Sequence, residues 1–438
     1  MARVAVQTET ALRVAPCTRV SAPKKAVVSA ASGSKSSVGS RASMFLSRAR
    51  FADVRGSKMR SSIASMASAE VRTASAEELT VASAEVRTVT RLAVPSKGRM
   101  AEDTLELLKQ CQLNVKKTNP RQYIAKISQF ENMEVWFQRA SDVVRRLRAE
   151  DVDIGILGKD MFTEYGEGDD ELLVLHDELD FGHCHLALGV PNSGKWENIH
   201  TVEDLKNMTE YSAERPLRVV TGYHYIAKEY FKKIGLDYYE LLAADGALEA
   251  APQMDYADII LDLVSTGTTL RENNLKQLSG EHARIMESEG VLVARRKALL
   301  EQPGALSICR ELLERLDAHL TAMGSFTVVV NMHGDSMEDV AKKMIDVGLG
   351  GLQGPTVSAI FTQGAGGKVQ DGKLYGVTIC VAQSALFSSV KKIREIGGSG
   401  ILVSPLTYIF DEQSPRWKAL LEKLGIEDYD AFCATHKL

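Results

Sequence analysis

The chain has no apolar run approaching the roughly 20 residues a membrane-spanning helix requires, which excludes a span of that kind. Its six cysteines (Cys17, Cys111, Cys184, Cys309, Cys380, Cys433) are scattered, with no C-x-x-C pair and no His/Cys cluster. That spacing argues against a structural zinc site and a secreted disulfide scaffold, and leaves reduced, mostly buried thiols as the expectation. Acids are nearly missing from the first 66 residues, where twelve Lys/Arg face only Glu9 and Asp53, a net +10. The overall charge is −4, so the remainder carries −14. A body that acidic does not hold nucleic acid by bulk charge.

What is present divides along the chain. Residues 1–66, rich in Ser, Ala, Val and Arg, have the composition of an organelle transit peptide; a plain disordered tail is the alternative. Residues 67–89 carry an imperfect repeat, Ser68-Ala-Glu-Val-Arg-Thr73 and Ser83-Ala-Glu-Val-Arg-Thr88. Two short copies are too few for a solenoid and read as a linker or weak helix. The remaining length suffices for two or three domains with proper cores.

The most informative stretch is Tyr256–Leu270. Ile259, Ile260, Leu261, Leu263 and Val264, interrupted only by Asp262, read as a buried strand. The strand ends in Ser265-Thr266-Gly267-Thr268-Thr269, and a helix is expected to start there. Strand, hydroxyl-rich turn and helix start make an anion pocket: Gly267 permits close backbone approach, and hydroxyls and helix-start N–H groups donate. Asp258 and Asp262 suit sugar hydroxyls or a hard metal ion travelling with a phosphate. The ordinary alternative is a strand-to-helix turn with a Ser/Thr cap.

Other turns lie at the ends of expected strands. Arg91–Val94 leads into Pro95-Ser96-Lys97-Gly98-Arg99, where the two cations grip a phosphate or are simply exposed charges. Val152–Leu157 ends at Gly158-Lys159-Asp160. In open α/β sheets ligands sit at the carboxyl ends of strands. His183 and His185 alternate along a strand, so only one can face a given site, and two histidines do not make a metal centre. Strands at Leu217–Thr221 and Tyr239–Ala243 flank a helix at Tyr225–Ile234, and Glu249 follows as either a substrate contact or a cap. Beyond residue 323 the order becomes βαββαβ, a ferredoxin-like unit poor in catalytic groups and suited to regulation or assembly. Pro415–Leu424 reads as a surface helix.

From about Thr90 to Leu406 the chain resembles the long form of the ATP phosphoribosyltransferase family. Four motifs carry the resemblance: Pro95–Arg99, Asp153-Ile-Gly-Ile-Leu-Gly158, Leu179-Asp-Phe-Gly182, and above all Asp262–Leu270 with Glu249-Ala-Ala-Pro252 before it. The resemblance implies an α/β fold: a two-lobed, periplasmic-binding-protein-like catalytic core with a C-terminal ferredoxin-like, ACT-like regulatory domain. It implies transfer of ribose-5-phosphate from Mg²⁺-bound phosphoribosyl pyrophosphate (PRPP) to N1 of ATP, the first step of histidine biosynthesis. Ser265, Thr266, Gly267, Thr268 and Thr269 would cradle the 5-phosphate. Glu249, Asp258 and Asp262 would act as the catalytic carboxylates around the ribose, with Asp258 and Asp262 on its metal. Ser96, Lys97, Arg99, Gly158 and Asp180 would face ATP and pyrophosphate. Histidine would bind near Thr356 and Ala382 and inhibit, in a homo-oligomer, dimer to hexamer.

The implied domains are 1–66 (transit peptide), 67–89 (linker), 90–188 with 292–322 (first lobe), 189–291 (second lobe), 323–411 (regulatory) and 412–438 (extension). The transit-like leader implies a plastid enzyme of a plant or alga, with a mitochondrial address as the alternative. The Gln363–Lys373 loop is longer than the family pattern. Two rival readings are another PRPP-dependent transferase, whose paired acids are adjacent rather than four apart, and a two-lobed phospho-ligand sensor with no activity.

Overall fold

A computed structural model describes residues 87–119, 121–244, 246–363 and 369–436. The expected transit segment, almost all of the linker and the tip of the Gln363–Lys373 loop lie outside them. In chain order the first elements are β1 (Thr90–Pro95), α1 (Arg99–Gln110), β2 (Val115–Lys116), β3 (Ile124–Ile127), β4 (Met133–Gln138), α2 (Ala140–Arg148), β5 (Ile154–Gly158), α3 (Lys159–Gly166) and β6 (Leu172–His176). Then come β7 (Cys184–Pro191), α4 (Val202–Lys206), β8 (Leu217–Thr221), α5 (His224–Ile234), β9 (Tyr239–Ala243), β10 (Ile259–Val264), α6 (Thr268–Glu272), β11 (Leu275–Gln277) and β12 (Arg284–Ser288). The chain returns through β13 (Gly290–Arg295), α7 (Arg296–Glu301) and α8 (Ala305–Ala322).

These strands form two sheets. The first has the order β2-β3-β4-β1-β5-β13-β6, and the second β11-β7-β10-β8-β9 with β12 on β7. Neighbours β4, β1 and β5 run parallel, as do β10, β8 and β9, while β13 and β7 enter antiparallel. Parallel strands need cover on both faces, which explains why every residue of β5 is buried. Gly155 belongs to that packing, since a Cβ there would lie 2.7 Å from Val143 Cγ1 on α2. The chain crosses between sheets twice, at β6–β7 and at β12–β13, which gives the expected two-lobed core. The expected lobe boundaries shift slightly: position 188 falls inside β7, a strand of the second sheet, and β13 rejoins the first sheet from Gly290 rather than 292.

The C-terminal unit comprises β14 (Ser325–His333), α9 (Met337–Asp346), β15 (Thr356–Gln363), β16 (Val369–Ala382), α10 (Leu386–Glu395) and β17 (Ser399–Pro405). Its sheet order is β15-β16-β14-β17 with every neighbour antiparallel, the ferredoxin-like βαββαβ arrangement. Val328, Val330, Val377, Ile379, Val340, Met344 and Ile393 form its own core.

The final helices, α11 (Pro415–Leu424) and α12 (Tyr429–His436), correct one expectation. α11 is not a surface helix: Trp417 is 1% exposed and shares a cluster with Leu92, Ile156 and Leu312 of the first lobe. Ser414 caps the helix by accepting from the Trp417 N–H. Ser414 and Arg416 also hold Asp317 of α8, with Arg416 at 3.1 Å. Burial opposes ionisation of Asp317, but His176, Ser414 and Arg416 outweigh it and hold the carboxyl below its usual range.

Candidate active site

β10 determines where its side chains point. Residues alternate between faces, so Asp262 shares a face with Ile260 and Val264, and these two pack with Leu248 and Ala251. Asp262 therefore meets the short turn that carries Glu249. Burial pushes its carboxyl up to about 6; the Leu263 N–H, 2.7 Å away, opposes this, and the Glu249 charge adds to it. Glu249 is half-buried and has no hydrogen-bond or ion-pair partner among the described residues.

The turn after β10 is an open cradle. Gly267 has φ 68° and caps α6, a conformation a side chain would strain. Ser265, Thr266, Thr268 and Thr269 are exposed around it. The Thr266 and Thr268 hydroxyls are 3.0 Å apart. A cavity of about 550 Å³ opens along the turn, lined by Ser265, Thr266 and Gly267 with His185, Arg271 and Gln277 among others. The expected helix is present but holds only five residues. Its macrodipole is correspondingly small, and the anion affinity of the turn rests on its amides, hydroxyls and neighbouring cation.

The two lobes meet at the end of β5. Gly158 is required there because a Cβ would lie 2.2 Å from Asp160 Oδ1. The buried Asp160 carboxylate accepts from Ser288 Oγ at 2.7 Å and from the Tyr223 hydroxyl at 3.0 Å. Burial, and then the Asp160 charge, drive the Tyr223 phenol far above its ordinary value, so it stays a donor. One turn along α3, Glu164 accepts from the Tyr225 N–H at 3.0 Å and the Ile226 N–H at 3.1 Å. α5 has no side-chain cap of its own; a carboxylate from the other lobe supplies it. Sequence reasoning missed Asp160, Glu164, Tyr223 and Arg271. The i, i+4 spacing of Asp160 and Glu164 on one helix face was the available signal.

The remaining expected residues separate into groups. Ser96 is half-buried at the end of β1, its N–H donating to Gln138 O at 2.8 Å. Lys97 and Arg99 are exposed on either side of Gly98 (φ 76°), with no hydrogen-bond or ion-pair partner among the described residues. Asp180 lies on the β6–β7 connection, 3.2 Å from His183 Nε2. It lines a different cavity, of about 380 Å³, with His176, Asp317 and Arg416. His183 points there too, whereas His185 lines the cavity of the turn, 3.2 Å from Gln277 Oε1. Thr356 starts β15 opposite Thr378, four rungs from Ala382, so the two expected effector positions are neighbours in sheet but not in register.

Asp258 requires a correction. It precedes β10 and accepts from Arg218 N at 3.0 Å and Arg218 Nε at 3.2 Å, with Lys195 at 4.0 Å. Seven residues of extended chain separate it from Ser265, roughly 23 Å at the rise of a strand. A carboxylate at the amino end of the strand, already paired with a guanidinium, does not reach a ligand in the turn.

Comparison with known proteins agrees with this architecture. The family model described as ATP phosphoribosyltransferase matches residues 139–318, and "HisG, C-terminal domain" matches residues 322–408. ATP phosphoribosyltransferase 1, chloroplastic, of Arabidopsis thaliana is 52% identical over 341 residues, covering 77% of this chain and 81% of that one. ATP phosphoribosyltransferase of Methanothermobacter thermautotrophicus is 30% identical over 319 residues, covering 73% and 98%. The chloroplast address of the plant relative accords with the basic, acid-poor start of this chain, and the protein is a plastid one. With residues 139–318 and the C-terminal domain matched by the family models and relatives aligned over most of the chain, the chain belongs to the ATP phosphoribosyltransferase family, in its long form.

Proposed function

We propose the following division of labour for this ATP phosphoribosyltransferase of histidine biosynthesis. Residues Ser265–Thr269 hold the 5-phosphate of PRPP, and Asp262 and Glu249 stand beside the ribose. Breaking the anomeric bond builds positive charge on the sugar and negative charge on the departing pyrophosphate. Carboxylates near the ring and cations near the leaving group stabilise those charges, the second role falling to Lys97 and Arg99. Adenine N1 is the nucleophile, so the protein's larger task is to align two anionic substrates. Mg²⁺ enters as part of the pyrophosphate substrate, which supplies oxygens of the kind that ion prefers. Asp262 and Glu249 are the protein oxygens suited to join them; Asp258, held by Arg218, is not.

The observation that carries this reading is the juxtaposition of a half-buried carboxylate with a raised pKa, Asp262, and an exposed hydroxyl turn around a left-handed glycine. Given ATP, PRPP and Mg²⁺, the purified enzyme is expected to form phosphoribosyl-ATP with its ultraviolet absorbance change. Thr266→Val keeps the shape of the turn and removes a donor. It should weaken PRPP binding about ten-fold while leaving ATP binding within two-fold; equal effects on both would contradict the role given to the turn.

Histidine inhibition belongs to the C-terminal unit in this reading. Its support is the glycine-rich segment before β15, where Gly351 approaches the Cys380 N–H so closely that a Cβ would lie 3.3 Å away. Self-association to dimers and a hexamer is supported by exposed apolar groups on the same unit, Phe387 at 88% and Leu402 at 66%. Added histidine should slow turnover, and Ala382→Trp at the exposed end of β16 should relieve that inhibition with basal rate retained. Truncation after residue 323 is a poor test, because it also strips Trp417 from the catalytic core.

A further inference from the structure

The turn after β10 offers amides and hydroxyls, all neutral, to a ligand group that carries close to two negative charges. Its helix is too short to add much. A dianion held in that way needs a cation, and none of the expected site residues on the turn provides one.

The walls of the cavity narrow the choice. No Asp or Glu lines it, and its formally charged lining residues are Arg271 and Lys276. Lys276 is engaged elsewhere: its Nζ donates to Glu197 O at 2.8 Å and lies 3.4 Å from His200 Nδ1. His185 faces Gln277. Arg271 differs from both. It is exposed, has no carboxylate partner among the described residues, and folds back over the turn. Its Nη1 donates to Thr266 O at 3.2 Å and its Nη2 to Thr268 Oγ1 at 3.0 Å. The guanidinium carries five N–H groups in a rigid fork, so most remain available to a ligand. A Cβ on Gly267 would lie 3.2 Å from Nη1, so glycine at that position also leaves room for the fork.

We infer that Arg271 is a PRPP-binding and positioning residue, whose guanidinium neutralises the 5-phosphate and holds the turn in its receiving shape. The inference rests on the reading of the turn as the 5-phosphate site. Two effects combine. Donation to Thr266 O occupies a carbonyl that would otherwise present negative charge beside the phosphate. Charge-assisted bonds from the free edge of the fork then reach the anion, at about twice the strength of neutral ones. A lysine cannot reproduce this, because a single ammonium does not span two acceptors and a phosphate in one plane.

The test compares Arg271→Met, Arg271→Lys and Thr266→Val with the parent enzyme, reading KM for each substrate, kcat, and calorimetric binding of ribose 5-phosphate. Arg271 is exposed, so the variants should keep the parent's melting temperature. Arg271→Met is expected to raise KM for PRPP about thirty-fold and weaken ribose 5-phosphate by a similar factor, with KM for ATP within two-fold. Its PRPP affinity should also depend less steeply on salt. Arg271→Lys should fall between Met and the parent. If Arg271→Met leaves PRPP unaffected while Thr266→Val weakens it, the turn keeps its role and the inference about Arg271 is overturned. Equal rises in both KM values would make Arg271 a structural residue, which also overturns it. If neither variant alters PRPP or ribose 5-phosphate binding, the reading of the turn fails and the inference with it.

Discussion

Asp262→Asn is expected to make the enzyme more stable at pH 7.5 and to lower its turnover by about a hundred- to a thousand-fold. The two effects have one origin. Burial is the main cause that lifts this carboxyl from 3.8 to about 6, with Glu249 adding its charge. The folded state therefore binds the proton more tightly than the unfolded chain does. The stability this contributes is fully present below about pH 4 and is lost as pH rises to about 6. Above that, the folded protein carries an ionised group in a site that disfavours it, a cost on the order of 2–3 kcal/mol for a two-unit shift. Asparagine can keep the contact with the Leu263 N–H and cannot ionise, so the cost disappears. Denaturant unfolding across pH 4–8 should show the parent's decline between 4 and 6 and a flatter curve for the variant. In the role proposed for Asp262, the charge that destabilises the folded protein is the one that meets positive charge growing on the ribose. The parent's kcat/KM for PRPP should accordingly fall on the acid side with a midpoint near 6. A variant that loses stability, or that keeps its activity, would refute the role given to Asp262.

Glu164→Ala should cost roughly 2–4 kcal/mol of stability, the scale expected when two helix-start amides lose a charged acceptor. Two α5 amides lose their acceptor, and that of Ile226 is at a buried residue. The kinetic pattern should differ from that of the turn variants. Glu164 belongs to α3 and the N–H groups that donate to it belong to α5, so its loss loosens one lobe against the other and affects both substrates. KM for ATP and for PRPP should rise together, by ten-fold or more. Glu164→Gln retains one acceptor oxygen and should recover about half of the stability. Steady-state kinetics beside thermal unfolding checks this; a rise confined to PRPP would place Glu164 in the phosphate site instead.

The sequence carried much of this architecture, for identifiable reasons. β1, β5, β8 and β10 are apolar runs bounded by turn residues, and both faces of the parallel strands are covered, so their signal is strong. β2 is a two-residue edge strand and β3 beside it is short, with exposed positions such as Ile124, and they left almost none. In the site, Asp262 and the hydroxyl turn are contiguous and were legible. Asp258 looked equivalent to Asp262 because period two places both on one face. Four residues of extended chain still separate them by about 13 Å, and position along a strand is invisible to face-counting. Glu164 and its donors are more than sixty residues apart in the chain and belong to different lobes, a pairing that no local pattern announces. Trp417 was misjudged for a related reason: one tryptophan in a charged helix reads as surface until the groove that receives it is known.

The place of that tryptophan has a consequence for biogenesis. The first lobe draws its core from three separated stretches: β1 to β6, then β13 to α8, then α11. The last of these follows the whole ferredoxin-like unit in sequence. A chain emerging from the ribosome, or threading into an organelle amino end first, therefore completes its regulatory sheet before it can close its catalytic core. The catalytic lobe is the part that must wait.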